Sequence, residues 1–375
     1  MRCLIYVPQM AAFGGIERHV CTLARALSAR GHGVVVLTTS NSLGGDLRAL
    51  LRDGGVGLRE LALSRGRAGR PVKAAWMLKE ALRARLGGWD VIYTNGQSAL
   101  ARLAWLAAGE GTRVVHHHHT AASEDEQRSW SQPFRSVLRR APELVACSCA
   151  TRDSLAIALP RNDIRYLPYL TPCPVAADMI ADRAYPEGRT LNYGFIGRLV
   201  AEKGIDAICE LSRRPELAGI TWHIHGSGAA YPEEFFRPYA NVVYHGPFAG
   251  AEAHARVLQE LDAAVLFSAH NEGMPLSLIE AMSAGLPWIA TDQGGTREVA
   301  VSDANSIVIS GPADVGRLAG ASAEMARRLR SGQTSRRTQR EAYDRTFNPG
   351  TVLEKWFSFL EGEASPSRVA VGATA

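Results

Sequence analysis

The clearest chemistry lies in Asn271-Glu272-Gly273-Met274-Pro275-Leu276-Ser277-Leu278-Ile279-Glu280-Ala281-Met282-Ser283-Ala284-Gly285-Leu286-Pro287. It follows an apolar, strand-like run over 263–267. Pro275 suits a first helical turn, where its missing N–H costs nothing. Gly285 then stops the helix and Pro287 opens the next strand. Gly273, Met274, Pro275, Leu276 and Ser277 therefore surround a helix start with free backbone N–H groups, a ready site for phosphate. Glu272 precedes the helix, and Glu280 lies about one and a half turns inside it. Two carboxylates are out of place in a site for phosphate alone. They fit a ligand that also carries hydroxyls, because a carboxylate accepts hydrogen bonds from paired sugar or ribose hydroxyls. Phosphate plus polyol points to a nucleotide sugar.

Two further segments share this logic. Gly197-Arg198-Leu199-Val200-Ala201-Glu202-Lys203-Gly204 also follows a strand and precedes a helix. Arg198 offers a planar fork and Lys203 a mobile point charge to one anion. Gly14-Gly15-Ile16-Glu17-Arg18 follows the first strand, and its two glycines allow a backbone to approach a ligand closely. Neither the GxGxxG fingerprint nor a GxxxxGK[ST] loop occurs. Glu17 and Arg18 read equally well as balancing charges at a helix start.

These segments need a scaffold that puts strand ends beside helix starts. Strand signals fall at 3–7, 34–38, 91–94, 113–117 and 144–147, with helical periodicity between them; Ile16, Val20, Leu23, Ala24 and Leu27 share one face. Thr171-Pro172-Cys173-Pro174 reads as a linker. A second set starts at Leu191 and continues at 220–225, 242–245, 263–267 and 288–290. Alternating strands and helices imply parallel sheets, so the expectation is two Rossmann-like doubly wound domains, with the ligand at the carboxyl ends of the strands in a cleft between them. A helix over 351–361 carries Val352, Trp356, Phe357 and Leu360 on one face, and the last dozen residues read as a frayed tail.

The 375 residues are 46% hydrophobic and 21% charged, which excludes a disordered chain. No apolar run is long enough to cross a membrane, and the opening run reads as a β-strand rather than a signal peptide, so a cytoplasmic protein is expected. Six scattered cysteines suggest no disulfide framework. Residues 1–140 hold 20 basic and 10 acidic side chains, against 22 and 27 in the remainder. No zinc-finger or aromatic-rich signature accompanies the basic half, so nucleic acid is not the expected partner. The basic residues peak at Arg65, Arg67, Arg70, Lys73, Lys79, Arg83 and Arg85, with Trp76, Met77, Leu78 and Leu82 interleaved. Residues 65–86 read either as a solvated helix with an apolar inner stripe or as a helix lying on an anionic membrane.

Taken together, Glu272 to Glu280 as an E-x7-E pattern, Gly197-Arg198 with Glu202-Lys203-Gly204, Gly14-Gly15-x-Glu17-Arg18, and Thr291-Asp292-x-Gly294-Gly295-Thr296-x-Glu298-Val299 closely resemble glycosyltransferase family 4. The resemblance runs from residue 3 to about 360 and implies an α/β GT-B fold and transfer with retention, without a catalytic metal or other cofactor. It implies that Arg198 and Lys203 neutralise the donor diphosphate, that Glu280 holds the ribose and that Glu272 lies by the donor sugar. Gly273 to Ser277 would contact sugar and phosphate, and Gly14 and Gly15 would approach the diphosphate. The family's histidine at the end of a late strand matches His119 best, with His118 as the alternative. The implied division is 1–168 plus the helix 347–362 on the acceptor side, 169–346 on the donor side, and a tail at 363–375. The expected partners are a UDP- or GDP-sugar and a saccharide, lipid-linked or small-molecule acceptor. Base contacts are expected from His225-Gly226-Ser227 and Gly246-Pro247-Phe248. One departure stands out: where the family commonly shows Pro-Asn-Gly, this chain has Pro168-Tyr169-Leu170-Thr171.

Other readings compete at single positions. His116 to His119 invite a metal, yet alternate strand residues face opposite sides, so only two converge. Cys147-Ser148-Cys149 reads as inert buried thiol, and Glu124-Asp125-Glu126 as a solvated loop rather than a metal-binding DxD. A nucleotide-sugar epimerase and a non-catalytic donor-binding or scaffold subunit are the alternatives for the whole chain.

Overall fold

The computed structural model describes residues 1–8, 10, 15–39, 43, 45–61 and 69–362. Gly14, Arg65, Arg67 and the tail at 363–375 lie outside them. Among the described residues, thirteen strands and thirteen α-helices alternate along the chain. The strands are β1 (Arg2–Val7), β2 (Gly33–Thr39), β3 (Gly57–Leu61), β4 (Val91–Asn95), β5 (Arg113–His118), β6 (Glu143–Ala146), β7 (Arg165–Tyr166), β8 (Leu191–Ile196), β9 (Ile220–His225), β10 (Val242–Gly246), β11 (Ala263–Leu266), β12 (Trp288–Thr291) and β13 (Ser306–Ile309). The helices are α1 (Gly15–Ala29), α2 (Gly45–Asp53), α3 (Gly69–Ala84), α4 (Glu124–Ser129), α5 (Gln132–Arg140), α6 (Cys149–Ala158), α7 (Ile205–Leu211), α8 (Glu233–Phe236), α9 (Ala251–Glu260), α10 (Leu276–Ser283), α11 (Val315–Arg330), α12 (Arg336–Thr346) and α13 (Pro349–Glu361).

One sheet has the order β3-β2-β1-β4-β5-β6-β7 and the other β10-β9-β8-β11-β12-β13. Neighbours such as β1 and β2, β8 and β9, and β11 and β12 pair in parallel, as crossover helices require. The strand order reverses at β1/β4 and again at β8/β11, which makes both sheets doubly wound. By contacts the chain divides into two compact units. One comprises Met1–His116, Ala141–Glu143 and Gly350–Ala375, and the other His117–Arg140 and Leu144–Pro349.

In the first unit Leu4, Tyr6, Leu37, Met77, Ala81, Trp89, Ile92 and Ala104 form a buried cluster. The Tyr6 hydroxyl donates to the Met77 carbonyl at 3.0 Å, so this ring is buried without an orphaned polar group. On α1, Val20, Leu23, Ala24 and Leu27 are buried as expected, joined by His19 and Cys21, while Ile16 is half-buried. Trp356 of α13 packs against His19 at 5.0 Å and Tyr93 at 6.0 Å between ring centroids. On α3 the buried stripe is Met77, Ala81 and Ala84, whereas Val72, Leu78 and Leu82 are 52%, 39% and 53% exposed. The apolar residues of this helix thus serve two faces. In the second unit Tyr193, Phe195, Trp222 and Trp288 anchor a core spanning both faces of the sheet.

Three strands lie outside the sequence expectation. β3 (GLREL) alternates polar residues at a sheet edge, β7 has two residues, and β13 (SIVI) is short. Residues 124–126 are also not a loop. They open α4, where Ser123 is the N-cap and Glu126 turns back to accept from the Ala122 N–H at 2.9 Å.

Candidate active site

The loop after β11 fixes Glu272. Ser268 is buried and its hydroxyl donates to Glu272 Oε1 at 2.5 Å. Lys203 Nζ donates to the same oxygen at 2.6 Å, and His270 Nε2 stands 3.8 Å away. The Ser268 carbonyl in turn accepts from Thr291 Oγ1 at 2.6 Å, and the Glu272 carbonyl accepts from the Gly295 N–H at 2.9 Å. An isolated parallel bridge joins Glu272 to Gly294. The acid is therefore held by its side chain and by its backbone. Lys203 is placed by the residue that follows it. Gly204 has φ +78°, and a Cβ there would lie 2.3 Å from the Phe267 carbonyl oxygen. The Glu202 carbonyl also accepts from the Ala269 N–H at 2.8 Å, which ties this loop to the one after β11. Lys203 keeps donors beyond the one given to Glu272. Arg198 is exposed and makes no side-chain hydrogen bond or ion pair among the described residues.

Pro275 is the N-cap of α10 rather than a residue of its first turn, because its ψ of 88° lies outside the helical range. The Pro275 carbonyl accepts from the Leu278 N–H at 3.1 Å. Met274 and Pro275 are buried, while Gly273, Leu276 and Ser277 are half-buried. Gly273 is required by close approach: a Cβ there would lie 2.9 Å from the His119 carbonyl oxygen and 3.1 Å from Cys147 Sγ. Glu280, half-buried, has its Oε2 3.7 Å from His254 Nε2. At the far end of α10, Arg340 donates to the Ser283 carbonyl at 2.9 Å and Gln339 to the Leu286 carbonyl at 3.1 Å.

The histidine run divides as its alternation requires. His116 Nδ1 meets Thr94 Oγ1 at 2.9 Å. His118 Nε2 lies 2.9 Å from Thr120 Oγ1, and its ring packs on Trp130 and Phe134. The His117 and His119 rings lie 4.0 Å apart, with the Tyr169 ring 5.1 Å from His119. His119 and Gly273 thus meet through the His119 carbonyl, whereas the His118 ring turns toward Trp130. Gly15 opens α1 in the first unit.

Two participants had no role assigned from the sequence. Tyr169 is bonded to His119, although nothing in Pro168-Tyr169-Leu170 announces a partner. Glu298, part of a motif but without an assigned role, clamps the start of α6: its two oxygens accept from the Cys149 and Ala150 N–H groups at 2.8 and 2.7 Å. Burial pushes the Cys147 thiol up to about 12, and burial with the nearby Glu298 carboxylate pushes Cys149 up to about 11, so neither is a ready thiolate. Among the described residues no group of three or more His, Cys, Asp or Glu is placed to hold a metal ion.

Residues 13–169 match the family model described as Glycosyltransferase Family 4, and residues 190–328 match the one described as Glycosyl transferases group 1. The chain belongs to glycosyltransferase family 4. This glycosyltransferase is 28% identical to glycogen synthase of Mycobacterium tuberculosis over 412 aligned positions, covering 94% of this chain and 93% of that protein. Its fold is similar to that of the Anabaena protein HepE, crystallised in complex with UDP and glucose: TM-score 0.74 at 16% identity, over 96% of this chain and 99% of the other. Sucrose-phosphate synthase from Thermosynechococcus elongatus aligns with TM-score 0.73 at 17% identity, over 96% and 99%. Its two doubly wound parallel sheets and these structural likenesses give the glycosyltransferase the GT-B fold. The epimerase and scaffold alternatives gain no support from these matches.

Proposed function

We propose that the protein moves a hexose unit from a nucleoside diphosphate to an acceptor hydroxyl with retention of anomeric configuration. The bond from C1 to the diphosphate breaks, and the acceptor oxygen bonds to C1 on the same face. The acceptor proton passes to the departing phosphate. Arg198 and Lys203 stabilise the charge that grows on that phosphate. Glu272 and His119 stand by the donor sugar, Glu280 holds the ribose, and Gly273 to Ser277 offer backbone N–H groups. Gly14 and Gly15 approach the diphosphate. On this reading residues 169–346 bind the donor, while 1–168 with 347–362 serve the acceptor. Positive side chains supply the charge that a metal would supply, so turnover should survive EDTA.

One observation carries the reading: Glu272, buried and held by Lys203 and Ser268, stands at the start of α10, and the loop that brings Lys203 also carries the exposed Arg198. The donor is a UDP- or GDP-sugar on this view, supported by the UDP and glucose bound in HepE. Thermal shift against UDP, GDP and ADP and their sugars tests it. One base should raise the melting temperature by about 5 °C at saturation, and no shift with any nucleotide would overturn it.

A peripheral membrane location on the cytoplasmic side is supported by one feature. Val72, Leu78, Leu82 and Leu86 are exposed beside Lys79, Arg83 and Arg85. No helix among the described residues is long and apolar enough to cross a membrane. Co-sedimentation with phosphatidylglycerol vesicles, but not with phosphatidylcholine alone, is the expected result.

A further inference from the structure

Tyr169 stands where the family commonly carries the Asn of Pro-Asn-Gly, and the resemblance gives it no role. Its hydroxyl donates to the His119 carbonyl at 2.8 Å and meets His119 Nδ1 at 2.6 Å. A backbone carbonyl only accepts, so the tyrosine proton lies on the first contact. The second contact then requires the imidazole Nδ1–H as donor. His119 is therefore the Nδ1–H tautomer, with its lone pair on Nε2. Packing fixes the same geometry. Both residues are buried, their rings stack at 5.1 Å and 23°, and the His117 ring lies 4.0 Å from His119. The carbonyl that Tyr169 grips is also the one against which Gly273 packs.

We infer that Tyr169 is a positioning residue that holds His119 as the Nδ1–H tautomer, so that Nε2 accepts from a donor-sugar hydroxyl and selects hexosyl over hexuronosyl donors. This rests on the proposed placement of His119 by the donor sugar. A hydroxyl donates to a lone pair, whereas a carboxylate offers only acceptors and is repelled by it. Without the tyrosine hydroxyl nothing in the Tyr169 contact distinguishes the two imidazole tautomers, and the preference relaxes.

The test uses the full chain. Long-range 15N–1H spectra of 15N-histidine-labelled protein at pH 8, assigned by loss of the signal in His119→Gln, should show the Nδ1–H pattern. In Tyr169→Phe the pattern should move to Nε2–H or a mixture. In the same variant kcat should fall about tenfold, with donor KM changed much less. The preference for UDP-glucose over UDP-glucuronate, or for GDP-mannose over GDP-mannuronate, should narrow by a similar factor. An Nε2–H pattern in the wild-type protein overturns the inference, as does Tyr169→Phe with unchanged tautomer, kcat and preference. The wild-type spectrum decides even where the variant fails to fold. His119→Ala separates the two layers. Unchanged transfer in that variant removes the placement of His119 itself, whereas lost transfer with an indifferent Tyr169→Phe removes only the role of the tyrosine.

Discussion

The loops after β8 and β11 carry charges, Lys203 paired with Glu272 and Arg198 exposed, while β9, β10 and the loop after β10 present neutral rings. On the first side Glu272 Oε1 takes hydrogen bonds from both Lys203 and Ser268. On the second, the His225 and His245 rings stack 4.3 Å apart with their planes 5° from parallel, and Phe248 is edge-on to His225 at 6.2 Å. His223 Nδ1 meets His245 Nε2 at 2.9 Å, a contact that needs one ring to donate and the other to accept. Burial, then the neighbouring His245 and His223, lowers His225 to about 3, so this ring is uncharged at neutral pH. β8, whose loop belongs to the charged side, has β9 on one flank and β11 on the other. A diphosphate demands fixed positive charge and a base demands a flat neutral surface. On the proposed function, one sheet supplies both, the charges from the loops after β8 and β11 and the rings from β9, β10 and the loop after β10.

The comparison breaks first at Lys203. Lys203→Ala should lower kcat/KM about a thousandfold, because it removes a donor from the growing phosphate charge and leaves Glu272 without its cation. Steady-state transfer assays measure this, and unchanged turnover would remove Lys203 from the charged side. Gly273→Ala comes next. Its Cβ would press on the His119 carbonyl and Cys147, with expected losses of about a hundredfold in kcat and about 1–3 kcal/mol in stability by urea titration. His225→Ala sharpens the contrast from the neutral side: donor KM should rise about tenfold at nearly constant kcat, as loss of a binding surface predicts. A fall in kcat with KM unchanged would instead put this residue with the charged group.

The smallest effect is acid sensitivity. The folded protein keeps His225 neutral down to about 3, whereas in the unfolded chain it takes a proton near 6.5. Its contribution is therefore present above about pH 6.5 and lost as pH falls toward 3. The expected loss at pH 5 is about 1 kcal/mol after allowance for solvent screening. Urea midpoints at pH 7.5 and pH 5 should differ more in the wild-type protein than in His225→Gln.

Much of this arrangement was legible in the residues. Strands such as that at 263–267 (Ala-Ala-Val-Leu-Phe) could be read because buried parallel strands are continuous apolar runs between turn residues. That Arg198, Lys203 and Glu272 lie between a strand and a helix, and Glu280 inside the helix, could be read from the turn residues around them; their roles belong to the proposed function. Tyr169 and Glu298 escaped for a different reason. Tyr169 acts on a residue 50 positions away, and Glu298 on backbone groups 148 and 149 positions away. Such pairings depend on tertiary approach and leave no periodicity. β3 and β13 escaped because edge strands need only a half-apolar pattern.

Trp356 has a consequence for how the molecule is made. It belongs to the same compact unit as His19 and Tyr93, yet all of the other unit is translated in between. A nascent chain leaving the ribosome therefore completes its later half before the earlier one can seal around this indole. Until then the aromatic seat formed by His19 and Tyr93 stands open to solvent, so biogenesis, more than equilibrium, is where a truncated or stalled product would be caught by chaperones.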